Sequence, residues 1–167
     1  MFREMRRSKQ ELPRQEAEAI LRRGTSGVLA LAGDDGYPYA VPISYVYDGG
    51  KLYFHCALAG HKLDAVRRNE KASFCVIGQD EIVPEVYTSY FRSVVVFGRI
   101  HVMEDQQEKR TAIEKLARKY APEDTAEGRR SAIDREWTTL CMLEMEIDHM
   151  TGKEGRELAK RRREAKD

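Results

Sequence analysis

Residues 26–57, SGVLALAGDDGYPYAVPISYVYDGGKLYFHCA, decide the fold. Three apolar runs, rich in β-branched and aromatic residues, are separated by Asp35-Gly36 and by Asp48-Gly49-Gly50. Asp-Gly pairs tolerate the positive φ angles of tight hairpins, so the stretch predicts an antiparallel meander. The middle run carries Pro38 and Pro42, which cannot donate to a ladder; this strand therefore lies at a sheet edge or bulges near Pro42. Backbone groups freed in this way can serve the imide edge of a flat heterocycle, or the run is an ordinary edge strand.

Upstream, LPRQEAEAILRRG (12–24) opens on a proline, places acids early and arginines late, and stops at glycine, which predicts a helix. Downstream, GHKLDAVRRN (60–69) turns helical and KASFCVIG (71–78) returns to strand. Residues 79–90 read as a polar, proline-broken loop. FRSVVVFGRIHVME (91–104) is the longest strand candidate, with Gly98 at a bulge or bend. Asp105 starts a helix in which Ile113, Leu116 and Ala117 share a face. A weaker helix, interrupted by Gly128, precedes a final strand in TTLCMLEMEIDHM (138–150), and residues 153–167 form a charged C-terminal helix. The sum is a single domain over residues 1–167, mainly β with α (α+β): about six antiparallel strands in a small, nearly closed barrel with peripheral helices. A barrel of this size fills its interior with side chains, so a ligand must sit outside it or at a subunit seam.

The 167 residues are 41% hydrophobic and 34% charged, a balance that excludes both a disordered chain and a membrane-embedded helical one. The longest apolar runs fall far short of a bilayer span, and the basic start MFREMRRSKQ has no apolar core behind it, so no signal peptide and a cytoplasmic location are expected. A net charge of +1 gives no global case for nucleic acid, although basic residues gather at both ends. Cys56, Cys75 and Cys141 are widely spaced without a CxxC pair, so no metal site is expected.

Around the third strand the residue types converge on anion chemistry. Gly60-His61-Lys62 opens a helix, whose unpaired N–H groups and positive dipole end suit a phosphate. A lysine in the first turn opposes the helix dipole unless something negative is held there; the alternative is a solvated surface lysine. His61 can donate to a phosphate, whereas His55 suits either a flat ligand or a satisfied core position. Arg92 and Ser93, at the entry of the long strand, could reach a phosphate, and Trp137 could stack on a ring or plug the core. No nucleophile triad, P-loop or GxGxxG is present, so an enzyme built from this chain would rely on a cofactor.

Three motifs, GYPYAVPISY, YFHCALAGHKLD and RSVVVFGRI, with the late HMTGKEG, make the chain resemble the Nim-type nitroimidazole-resistance proteins. Those belong to the pyridoxamine 5′-phosphate oxidase-like flavin-binding split-barrel superfamily. The resemblance spans nearly the whole chain and implies a six-stranded antiparallel split barrel that pairs as a homodimer, with FMN at the subunit interface. It places Val41, Pro42, Ile43 and Ser44 along the isoalloxazine ring, His55, Cys56 and Ala57 near the ribityl chain, and His61 with Lys62 at the phosphate. Arg92, Ser93 and Val94 would approach from the long strand, and Trp137 from the partner. The implied activity is FMN-dependent reduction of a nitro-aromatic or other small electrophile, with His55 or His61 contacting substrate or donating a proton. A non-catalytic flavin or haem store or sensor is the competing function, since a histidine can serve as an axial haem ligand. Neither nucleic acid nor membrane is expected as a partner.

Overall fold

The computed structural model describes residues 1–165. Eight strands form one antiparallel sheet: β1 (Glu11–Leu12), β2 (Ser26–Ala32), β3 (Pro38–Ser44), β4 (Val46–Asp48), β5 (Lys51–Ala57), β6 (Lys71–Val83), β7 (Thr88–Val102) and β8 (Leu140–Glu154). Five helices accompany them: α1 (Arg14–Arg23), α2 (His61–Arg68), α3 (Gln106–Tyr120), α4 (Ala126–Glu136) and α5 (Arg156–Glu164). The sheet order is β3-β2-β6-β7-β8-β5-β4, with β1 added on β8. The two ends of this path, β3 and β4, are joined covalently through Tyr45 but share no ladder, so the sheet curls round without closing.

The α+β expectation holds, and β3 lies at an edge as its prolines require. Two expectations need correction. The strands number eight rather than six. Residues 79–90 are not a loop: β6 continues to Val83, a short turn at Pro84–Val86 reverses the chain, and β7 starts at Thr88. Tyr87, at φ 50°, completes that reversal. The polar composition misleads because this hairpin arm extends beyond the core and both of its faces meet solvent; Ile82, Val86 and Tyr87 are all exposed. The C-terminal helix begins at Arg156, since β8 runs on to Glu154; Lys166 and Asp167 of the expected helix lie outside the described residues.

Strand alternation sends Leu29, Leu31, Phe54, Phe74, Val76, Val94, Val96, Leu143 and Met145 into the main core. Ala17, Ile20 and Leu21 of α1 and Leu63, Ala65 and Val66 of α2 join the same core. A second core lies on the other face of β4, β5 and β8, where Val46, Tyr53, Leu140 and Met142 meet Ala112 and Leu116 of α3. Asp105 caps α3 by accepting from the amides of Gln107 at 2.9 Å and Glu108 at 2.8 Å.

Glu154 is fully buried at the end of β8, where it accepts from Arg92 Nε at 3.2 Å and Arg162 Nε at 2.6 Å. A buried carboxylate is tolerable only when such partners replace its water, so this triad pins α5 onto the barrel. Gly98 sits where the β7–β8 register shifts, as its sequence position suggested. A Cβ there would collide with the backbone carbonyl of Glu146, which has no freedom to move. Gly98→Ala is expected to cost about 1–3 kcal/mol of stability, the usual range for overpacking, read as a lower denaturant midpoint at unchanged slope.

Candidate functional site

Glycine opens α2 as expected. Gly60 has φ +126°, no side chain caps the helix, and a Cβ at Gly60 would meet open space. The amides of Leu63 and Asp64 donate back to the Gly60 carbonyl at 2.9 and 3.2 Å. Those of His61 and Lys62 precede the helical ladder and are left for an external acceptor. The result is an open cradle of backbone donors with an ammonium in its first turn.

The His61 side chain has local partners. Its ring stacks on Tyr39 at 4.1 Å between centroids, and its Nε2 lies 3.4 Å from Asp34 Oδ2. Asp34 also binds Arg68 at 2.6 Å, and that hydrogen bond holds its carboxyl below the usual carboxylate range. The turn at Asp34–Gly36 is thereby tied to α2, which brings β3 beside the cradle. The turn signal in the sequence is Asp35-Gly36, and Asp34 beside it carries no sign of its distant partner.

Alternation sorts the expected ring contacts into two sets. On β3, Val41 and Ile43 pack against the main core, while Pro42 points outward and Ser44 lines a cavity. On β5, His55 and Ala57 are exposed, whereas Cys56 packs inward opposite Cys141. Burial and the neighbouring Cys141 push the Cys56 thiol pKa upward, so it remains protonated.

That cavity, of about 420 Å³, lies between the ends of β3 and β5 and the α3–α4 pair. Ser44 and His55 form one wall; Ile113, Leu116, Tyr120 and Ile133 form the apolar one. The helical spacing of Ile113 and Leu116 had marked a core face. It could not show that a space remains between the α3–α4 pair and the strand ends. His55 is open to solvent on one side, yet the surrounding wall and then the Lys62 charge lower its pKa below the ordinary imidazole value. His55 is therefore neutral at pH 7 and has both a donor and an acceptor nitrogen.

The remaining expected residues stand elsewhere. Ile100 and Val102 of β7 lie beside α2. Arg92 is eight residues farther back along the strand, roughly 25 Å away at strand rise. Arg92 uses its Nε on Glu154, and Ser93 lies on the outer sheet face opposite Ile77. Val94 is fully buried in the main core. Trp137 packs on α3 beneath Lys109 Nζ, 4.4 Å from its ring, and Arg110 at 5.3 Å, so within one chain it braces the cavity's far wall. One chain thus brings together residues 41–44, 55–57 and 60–62, and leaves 92–94 and 137 apart from the cradle.

Among the described residues no cluster of histidine, cysteine and carboxylate could hold a metal ion, and no helix is long and apolar enough to cross a membrane.

Protonation of His55 should fall, in an NMR titration, at a midpoint below that of a free histidine, and Lys62→Gln should move it up. Because the folded state holds the lower pKa, stability from this group is full above the unfolded pKa of about 6.5 and declines as pH falls below it.

Known proteins share this fold. The family model for pyridoxamine 5′-phosphate oxidase matches residues 13–154. An uncharacterised protein of Rhizobium meliloti is 34% identical over 88 residues, a stretch that covers 53% of this chain and 53% of that protein. A solved structure of a candidate 5-nitroimidazole antibiotic resistance protein from Bacteroides thetaiotaomicron superposes with TM-score 0.70 at 23% identity, covering 86% of this chain and 85% of that one. An FAD-binding protein of Mesorhizobium loti is 26% identical with TM-score 0.64, over 87% of this chain and 97% of that one.

Proposed function

We propose that this chain, which belongs to the pyridoxamine 5′-phosphate oxidase family, binds FMN and uses it to reduce nitro-aromatic or similar small electrophiles. The observation that carries the proposal is the uncapped start of α2. Its free amides and the Lys62 ammonium lie beside an edge strand and a cavity that no side chain fills. These features fit a flavin part by part. The His61 and Lys62 amides and the Lys62 ammonium would hold the phosphate. The unpaired edge of β3, from Val41 to Ser44, would meet the polar rim of the ring, and His55 and Ala57 would flank the linking chain. Bound flavin would supply electron-pair transfer to an electrophile, and the apolar wall of α3 and α4 would exclude water and bulky acceptors. His55, neutral with one N–H, can hydrogen-bond the acceptor or return a proton to it.

A second copy of the chain completes the site in this proposal. Among the described residues no helix covers the outer face of β2, β6 and β7, which exposes Val28, Ile77 and Phe97 and continues into the hairpin arm. Pairing on this face would bring Ser93 and the unused terminal nitrogens of Arg92 from one copy toward the flavin of the other, with Trp137 braced nearby. The Mesorhizobium protein, described as FAD-binding, supports the flavin part of this reading.

The purified protein should be yellow, elute as a dimer, and release FMN identifiable by mass. A Soret band instead would favour the haem store, and a colourless monomer that ignores added FMN would overturn the proposal. Lys62→Glu should weaken FMN binding about tenfold or more in a fluorescence titration, since it replaces a charge-assisted contact with repulsion. Anaerobically reduced protein should be reoxidised faster by nitro-aromatics than by quinones.

A further inference from the structure

The turn before β1 and the helix α5 meet beside the barrel. The short turn Ser8–Gln10 lies against α5, fastened by Arg163 Nη1 donating to the Lys9 carbonyl and Arg162 Nη2 to that of Glu11, both at 2.8 Å. Between these walls opens a cleft of about 550 Å³ lined by Arg6, Arg7, Lys9, Gln10, Arg156 and Arg163. With Ser8 and Ala159 the lining comes to eight residues, of which five are cations and none a carboxylate. The near acid, Glu157, lies 3.3 Å from Arg156 at its rim. Gathering like charges in a concavity costs energy unless an anion offsets it, and this chain, at +1 overall, has no general excess of base to explain the cluster.

Gln10, at 8% exposure, is the one buried polar residue of that lining. The α5 start adjoins the same space: Gly155 precedes Arg156 without a side-chain cap.

We propose that this cleft binds the diphosphate of a nucleotide. Arginine forks match phosphoryl oxygens two at a time, and four arginines supply two phosphoryl groups. The volume exceeds what one inorganic phosphate fills and lies within the usual range for small-molecule sites, and the Gln10 carboxamide offers both donor and acceptor to the sugar or base. A concave cleft favours a compact ligand over a duplex or a membrane surface, which call for an extended basic stripe. The site is remote from the α2 cradle within the chain and does not depend on flavin being the cofactor.

Calorimetric titration of the full chain with ADP and with pyrophosphate tests it. Both should bind, and Arg6→Gln with Arg156→Gln should weaken both at least tenfold. These two arginines take no part in fastening the cleft walls, so the melting temperature should stay within a few degrees. Lys62→Glu should leave ADP binding unchanged, which separates this cleft from the flavin cradle. Absence of ADP binding, equal binding by the double variant, or loss of ADP binding in Lys62→Glu would each overturn the assignment. So would a variant that lost binding to duplex DNA or anionic vesicles while ADP bound neither protein.

Discussion

The break between β3 and β4 depends on one residue. Tyr45 is fully buried where the sheet's two edges are joined by chain but not by ladder. Its hydroxyl donates to the Leu21 carbonyl of α1 at 2.7 Å, and its ring meets Phe74 edge-on at 4.8 Å. Burial drives its phenol pKa upward, so the hydroxyl remains a donor. Its backbone N–H donates to the Tyr120 hydroxyl at 3.0 Å, and its carbonyl accepts from Lys119 Nζ at 3.2 Å. Lys119 also donates to the Gly24 carbonyl, and Tyr120 to that of Thr25. A ladder bond lost at the split is thus replaced by side chains from the last turn of α3, satisfying backbone groups that burial would otherwise strand.

This substitution has a geometric result. Because the end of α3 is fixed to Tyr45, the helix must lean over Ser44 and His55, and the cavity exists because the lean leaves a gap beyond the reach of Ile113 and Leu116. The same anchoring keeps β3 at an edge: a strand whose far neighbour is a helix terminus cannot pair on that side. Edge and cavity therefore adjoin one topological discontinuity.

Much of this was legible in sequence. The Asp-Gly turns, Pro38 and Pro42, the Gly60 helix start and the Gly98 bulge are local signals, and local signals survive folding. What failed was long-range or depended on solvent. The arm at 79–90 reads as loop because neither of its faces is buried, so it lacks the alternation by which strands are recognised. Val94 turns into the core while its neighbour Ser93 faces outward, an alternation that the motif itself does not display. Cys56 differs from His55 for the same reason. The contacts of Asp34 with Arg68, and of Tyr120 with Tyr45, join segments 34 and 75 residues apart, and nothing in either neighbourhood announces the other.

The two cores lie on opposite faces of β4, β5 and β8. The α2 cradle is founded on one and the α3–α4 wall on the other. Substitutions separated in this way tend to act additively. Inheritance of such a fold can therefore hold the cradle constant while the wall drifts. One scaffold would diversify its choice of small molecules by altering α4, whose Ile133 is its sole buried residue, without renegotiating the anchorage below.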